Sequence, residues 1–317
     1  MTLYAPNIGE KEMLKADIAM QAVILGIYKN VIATDGGLTV DSLTEMSTAG
    51  GYDPIELTND LNESAAAANQ WYVSTDANGK ASAQYGLTAS PQAWTFNATD
   101  VAAAEVLYGI YAYTRVLAFT SGLQPIKPGD VVRQGAVVAE VTGVIVKSGS
   151  WYAGTAAGDL YLKRQSGVFV AGATLIDLSK ATATSEIKGL TAAPIDGGTE
   201  YVVGDVFAIG TGTGGVGRVT AVTGGVVTAV ELLSGGKDYT VATQATVKVN
   251  GAGDNALTVA VATLYTAGPA VAVATIAGDS TKKLLWIEAF TAAKTVGNGT
   301  GEVVGVTYLP IRTLATA

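Results

Sequence analysis

Two patterns of apolar and polar positions divide the chain. In Gly9–Met20 (GEKEMLKADIAM), Met13, Leu14, Ile18 and Ala22 fall near helical spacing, and Glu10 and Glu12 sit where a helix dipole favours acids. The spacing predicts one short helix packed across a sheet. Beyond it the pattern is that of strands. Gln21–Lys29 (QAVILGIYK), Tyr52–Leu57, Trp71–Thr75 and Pro91–Asn97 are candidates, with turn signals at Asp35-Gly36-Gly37 and Asp76-Ala77-Asn78-Gly79. In Glu105–Thr114 (EVLYGIYAYT), Leu107, Gly109, Tyr111 and Tyr113 alternate with Tyr108, Ile110, Ala112 and Thr114. A helix through Val101–Phe119 competes, because DVAAAE leans that way. Gly109 and the β-branched and aromatic content favour a strand.

A second aromatic strand, Leu284–Phe290 (LLWIEAF), lies far downstream. These two runs are expected to be neighbours in one terminal domain, with the residues between them inserted. Glycines and prolines at Leu117–Lys127 read as the exit link. From Gly129 to about Ile176, glycines at regular short spacing give the rhythm of a meander or small barrel. Within it, Trp151 and Tyr152 at a turn read as core plugs. A polar linker at Ser179–Leu190 leads to an internal repeat, in which Gly197-Gly198-Thr199-Glu200-Tyr201 recurs as Gly235-Gly236-Lys237-Asp238-Tyr239. The fold class expected is all-β with one short N-terminal helix. A sandwich- or barrel-like anchoring domain (1–120 plus 268–317) is interrupted by a small β-barrel or meander (121–185) and a glycine-rich repeat module (186–267).

Composition agrees with that reading. The chain has 317 residues, 39 of them glycine and only 15 % charged, the mixture of β-branched strands joined by glycine turns. A net charge of −8 without basic clusters argues against nucleic acid. The absence of Cys and His removes disulfides, thiolate metal sites and the commonest general base. No apolar run reaches membrane-spanning length, and the N-terminal residues lack an export pattern, so a protein made in a cytoplasm is expected.

Candidate chemistry is sparse. Gly210, Gly212 and Gly215 satisfy G-x-G-x-x-G, but a dinucleotide site needs a helix after the third glycine, and RVTAVTGGVVTAV alternates like a strand. Carboxylates Asp196, Glu200, Asp205, Asp238 and Asp254 cluster in the repeat region, each beside Gly or Tyr in a turn context where Asp caps backbone amides. No catalytic residue, cofactor or metal is expected. The aromatics Tyr108, Tyr111, Tyr113, Trp286 and Phe290 are the candidates for core or subunit interface.

A family resemblance joins these pieces. The order runs from a short helix through Leu25-Gly26-Ile27-Tyr28-Lys29-Asn30, Leu43-Thr44-Glu45, Gly50-Gly51-Tyr52 and Trp94-Thr95-Phe96. It continues through Val106-Leu107-Tyr108-Gly109-Ile110-Tyr111 to Leu284–Phe290 and Val296-Gly297-Asn298-Gly299. It resembles small virion proteins of tailed bacteriophages that decorate or cement the capsid. In that family the two aromatic strands are close in sequence, so their wide separation here implies an insertion at a turn. The resemblance implies a non-enzymatic protein on the capsid surface of the virion, bound to the major capsid protein, forming a homo-oligomer (a trimer) and projecting its inserted modules. A head or tail fibre binding host glycans and a carboxylate-based depolymerase are the competing readings.

Overall fold

The computed structural model describes residues 7–32, 38–46, 52–58, 60–62, 70–75, 81–85, 92–96, 104–181, 185–251, 253–265, 271–296, 302–306 and 309–312. The chain enters through α1 (Asn7–Met20) and β1 (Ile24–Tyr28). Short strands β2 (Ile55–Glu56), β3 (Leu61–Asn62), β4 (Trp71–Thr75), β5 (Ala81–Tyr85) and β6 (Gln92–Phe96) lead to β7 (Glu105–Gly122). Next come β8 (Val131–Gln134), β9 (Val137–Ser148), β10 (Ala156–Lys163) and β11 (Thr174–Asp177). The repeat region holds β12 (Ile187–Leu190), β13 (Val206–Ile209), β14 (Thr213–Thr223), β15 (Val226–Lys237), β16 (Thr243–Lys248) and β17 (Thr258–Leu264). The chain returns through β18 (Val271–Ile276), β19 (Thr281–Val296), β20 (Glu302–Val306) and β21 (Leu309–Arg312). The protein is all-β with one short N-terminal helix; two of its sheets form a closed and a nearly closed barrel, and β20-β6 and β21-β5-β4-β3 form smaller sheets.

In α1, Leu14 and Ile18 are buried one turn apart, whereas Met13 is 68 % exposed. The i, i+4 pair defines the packed stripe and Met13 lies off it, contrary to the sequence expectation. The competing helix near Val101–Phe119 does not form across its described part. Glu105 opens a strand of eighteen residues.

That strand, β7, belongs to two cores. Its first half runs antiparallel between β1 (Gly26 opposite Tyr111) and β19 (Leu284 opposite Tyr113, Ile287 opposite Tyr111). The two aromatic runs, far apart in sequence, are therefore hydrogen-bonded neighbours. Ile110 and Ala112 face a base core with Leu14, Ile18, Trp71, Tyr85, Trp94 and Phe96. Tyr111 and Tyr113 face the other side, with Ile24 and Tyr28.

The sequence expectation of a link from Leu117 is not met, because Leu117–Gly122 continues the same strand. There Leu117 and Phe119 turn into a second core, packing with Val141, Leu160, Phe169, Leu175 and Val273. Strands β7, β10, β9, β8, β11 and β18 pair in that order, and β10 and β18 both pair with β7, so six strands close a barrel. Two of them come from segments that the sequence grouped with the anchoring domain. Trp151 stacks flat on Phe119 at 5.0 Å and covers Gly122, where a Cβ would stand 2.4 Å from the indole.

The second barrel orders its strands β12-β17-β16-β13-β14-β15 around Phe207, Ile209, Tyr201, Tyr239 and Val259. It nearly closes where the backbone of β15 at Gly235 meets the Ile187 carbonyl of β12. The repeat is visible in the backbone. Gly198 and Gly236 have φ of 55° and 59°, and Glu200 and Asp238 have φ of 67° and 63°. Each copy turns twice through the left-handed region and delivers its tyrosine, Tyr201 or Tyr239, into the core. The β13–β16 ladder pairs Ala208 with Val247 and Ile209 with Thr246. Those two pairs interchange under the 38-residue offset of the repeat (239 − 201), so a pseudo-two-fold axis passes through this ladder.

At Gly109 a Cβ would lie 2.1 Å from the Glu288 carbonyl oxygen and 2.4 Å from the Tyr28 hydroxyl, so β1, β7 and β19 meet only because the side chain is absent. Gly109→Ala is expected to destabilise the protein by about 3 kcal/mol in urea unfolding. Gly278→Ala, where a Cβ meets nothing within 4 Å, should stay within about 0.5 kcal/mol.

Candidate functional site

The five candidate aromatics divide between two faces of one sheet. Tyr111 and Tyr113 are buried and stacked at 5.3 Å, and Tyr108 packs at the margin of the same cluster with Leu284 and Ile287. Trp286 and Phe290 are half-buried on the opposite face, against the base core. They form no single aromatic patch.

Strand β19 has β7 as its only ladder partner among the described strands, so its outer backbone edge carries no ladder there. Leu285 is bulged between the pairs of Leu284 and Trp286, and Phe290–Ala293 stand against Tyr108 alone. These irregularities, with Lys282, Lys283 and Lys294, are the means by which edge strands resist indiscriminate pairing.

Behind this edge lies a polar node that sequence reading missed. Glu45 bridges to Tyr28 and sits amid three tyrosines. Its carboxylate accepts from the Tyr52 hydroxyl at 2.9 Å and pairs with Lys282. The Lys282 ammonium stands 4.5 Å from the centre of the Tyr113 ring, and the Arg115 guanidinium 5.8 Å from it. Burial, followed by the negative charge of Glu45, raises the Tyr52 and Tyr111 hydroxyls well above their ordinary value. They stay neutral donors at any physiological pH. Glu45 ends the Leu43-Thr44-Glu45 stretch quoted for the resemblance, but only the chain's return through β19 gives it a cation, so no local signal assigned it this role.

The glycine motif is a tyrosine seat. A Cβ at Gly212 or Gly215 would stand 2.5 Å from Tyr239, whose hydroxyl accepts from the Gly215 amide and donates to the Ile209 carbonyl. Strand β14 opens inside it, at Thr213. The carboxylates of the repeat region are spent on turns. Asp196 accepts from the Gly198 amide, Asp205 from the Val202 amide, and Asp254 from the amides of Thr199 and Ala256 and the Thr199 hydroxyl. The Ala256 amide, then the Thr199 hydroxyl, hold the Asp254 carboxyl below its ordinary range. Glu200 and Asp238 mark the left-handed turns of the repeat. Among the described residues no three metal-ligating side chains gather.

An acid pair at the rim of the first barrel also escaped the sequence. Asp177 is fully buried, accepts from the Ser179 amide at 2.8 Å, and faces Asp130 and the Lys180 ammonium. Nearby, Lys127–Glu186 (3.5 Å) and the Tyr152 hydroxyl on the Leu233 carbonyl (3.3 Å) join the first barrel to the second. Tyr152 thus sits in a seam between barrels, while Trp151 plugs a core.

No family model, no curated protein and no solved structure matches this chain.

Burial, then the Asp130 charge, pushes the Asp177 carboxyl up to about 6. A raised carboxyl binds its proton more tightly when folded, so its stabilising share is complete at low pH and lost as pH rises through about 6. Across pH 4 to 7, wild type is expected to lose on the order of 2–3 kcal/mol relative to Asp177→Asn in urea unfolding. Parallel pH profiles for the two proteins would contradict it.

Proposed function

We propose that this chain is a structural protein of a tailed-bacteriophage particle, a decoration or cement protein that binds the major capsid protein lattice and stabilises the head. The observation that carries the reading is the return of β19 to β7 after the two barrels. It supports a base assembled from both ends of the chain, carrying the half-buried Trp286 and Phe290 on a strand whose outer edge has no ladder partner among the described strands. Attachment is by binding rather than by chemistry. The repeat carboxylates and the glycine motif, the sequence features closest to catalytic hardware, are engaged in turns and in seating Tyr239.

In this reading the β19 edge lies at junctions between capsid subunits. Its irregular ladder excludes a random strand and admits a surface shaped to the bulges, which gives selectivity. Copies gather as trimers on the shell, and the barrels stand away from it. Each subunit contact adds interactions that internal pressure must break before the shell opens.

Electron cryomicroscopy of intact particles tests this reading. Density for the chain is expected on the shell lattice with β19 at the shell surface. Density confined to the tail or to vertex fibres would overturn it, as would particles without the chain. The exposed pair Lys283→Glu and Ala289→Glu is expected to weaken binding to particles lacking the protein by about tenfold, with the melting temperature unchanged.

A further inference from the structure

We propose that the junction between the base and the first barrel contains an oxyanion-binding site centred on Arg115, independent of any attachment to a shell. Register puts two cations side by side, since Lys282 of β19 lies directly opposite Arg115 of β7. Like charges in that relation repel unless something compensates them. Lys282 is compensated by Glu45. Arg115 is not. Its guanidinium, half-buried, makes one hydrogen bond, to the Tyr113 hydroxyl at 3.4 Å, and no ion pair among the described residues. Most of its five donors are left over, on the side chain best shaped for a carboxylate or phosphate.

A pocket of about 240 Å³ opens beside it, lined by Arg115, Lys282, Gln165, Ser166, Ser280 and Thr281 among others, with no carboxylate in its wall. Its hydroxyls are set to donate. The Ser280 oxygen accepts from the Phe169 amide and the Gln165 side-chain amide, and the Ser166 oxygen accepts from the Val138 amide. With both lone pairs of Ser280 taken, its O–H is left to donate, and Ser166, which accepts one bond, keeps its O–H as well. Apart from Glu45, which Lys282 holds, the acids of this region lie elsewhere. Asp53, Glu56 and Asp60 line a separate cleft of about 520 Å³ that also touches Arg115, and there Lys163 and Arg164 are paired with Glu140. One uncompensated guanidinium, two hydroxyl donors and an acid-free wall specify a small oxyanion. The volume suits a phosphate or a small carboxylic acid rather than a nucleotide or glycan.

The test is thermal unfolding of the full chain, titrated at fixed ionic strength with sodium phosphate or with sodium glutarate, against chloride. The midpoint is expected to rise saturably with at least one of the two. Phosphate alone would identify a free tetrahedral anion, and glutarate a carboxylate. Arg115→Gln is expected to abolish the rise, while Arg115→Lys and Ser280→Ala weaken apparent affinity by about tenfold. Lys283→Gln, outside the pocket, should leave it unchanged. Should Arg115→Gln fail to fold, the other two variants decide. No rise above chloride with either anion, or equal responses in wild type and the Arg115 and Ser280 variants, overturns the proposal.

Discussion

One strand that serves two cores constrains the whole molecule. From Glu105 to Gly122 the β7 backbone is continuous, yet the side of it that is buried changes along its length. Its first half is covered on both faces, by the base core and by the tyrosine cluster. Its second half turns Leu117 and Phe119 inward, to the barrel, and after exposed Ser121 buries Gly122. Arg115 sits where that changeover occurs, between buried Tyr113 and buried Leu117. A charged residue is tolerated there because the position belongs fully to neither interior. The same changeover leaves a pocket beside it.

The geometry of the return strand follows from this. Because β7 is paired on one side by β1 and then by β10, β19 can add only on the other side, and it runs from Val116 back to Glu105. Its bulges absorb the mismatch between a strand that must also reach Glu45 with Lys282 and a partner built around Gly109. The result is a protected, irregular strand whose outer edge has no ladder partner among the described strands. The proposed attachment surface and the proposed anion site are thus separate consequences of one topological choice, and either can stand without the other.

Much of this was legible in the residues. Alternation and glycine rhythm identify an all-β chain, and the aromatic runs Glu105–Thr114 and Leu284–Phe290 are adjacent as their composition suggests. The Gly-Gly-x-x-Tyr repeat is a true structural repeat, because only those backbone turns bring Tyr201 and Tyr239 inward. What escaped reading depended on distant partners. Leu117–Gly122 looks like a link because glycine and proline follow at once, and nothing local says that Val271–Ile276 will pair there. Met13 and Leu14 are equivalent by composition, and only packing separates them. Glu45 and Arg115 are isolated charges in sequence, and Asp177 has only Ser179 and Lys180 close by; each acquires its role from a residue more than forty positions away, Lys282 for the first two and Asp130 for the third.

The claim that β7 unites the base and the first barrel is tested most directly by native-state hydrogen exchange along that strand. If one continuous ladder holds both cores, the slowest amides of Leu107–Tyr113 and of Leu117–Phe119 should open with the same free energy, equal to that of global unfolding of the unit. Those of the second barrel, with its own core, are free to differ. Two distinct opening energies within β7, changing at Arg115, would mean that the strand joins two independent domains.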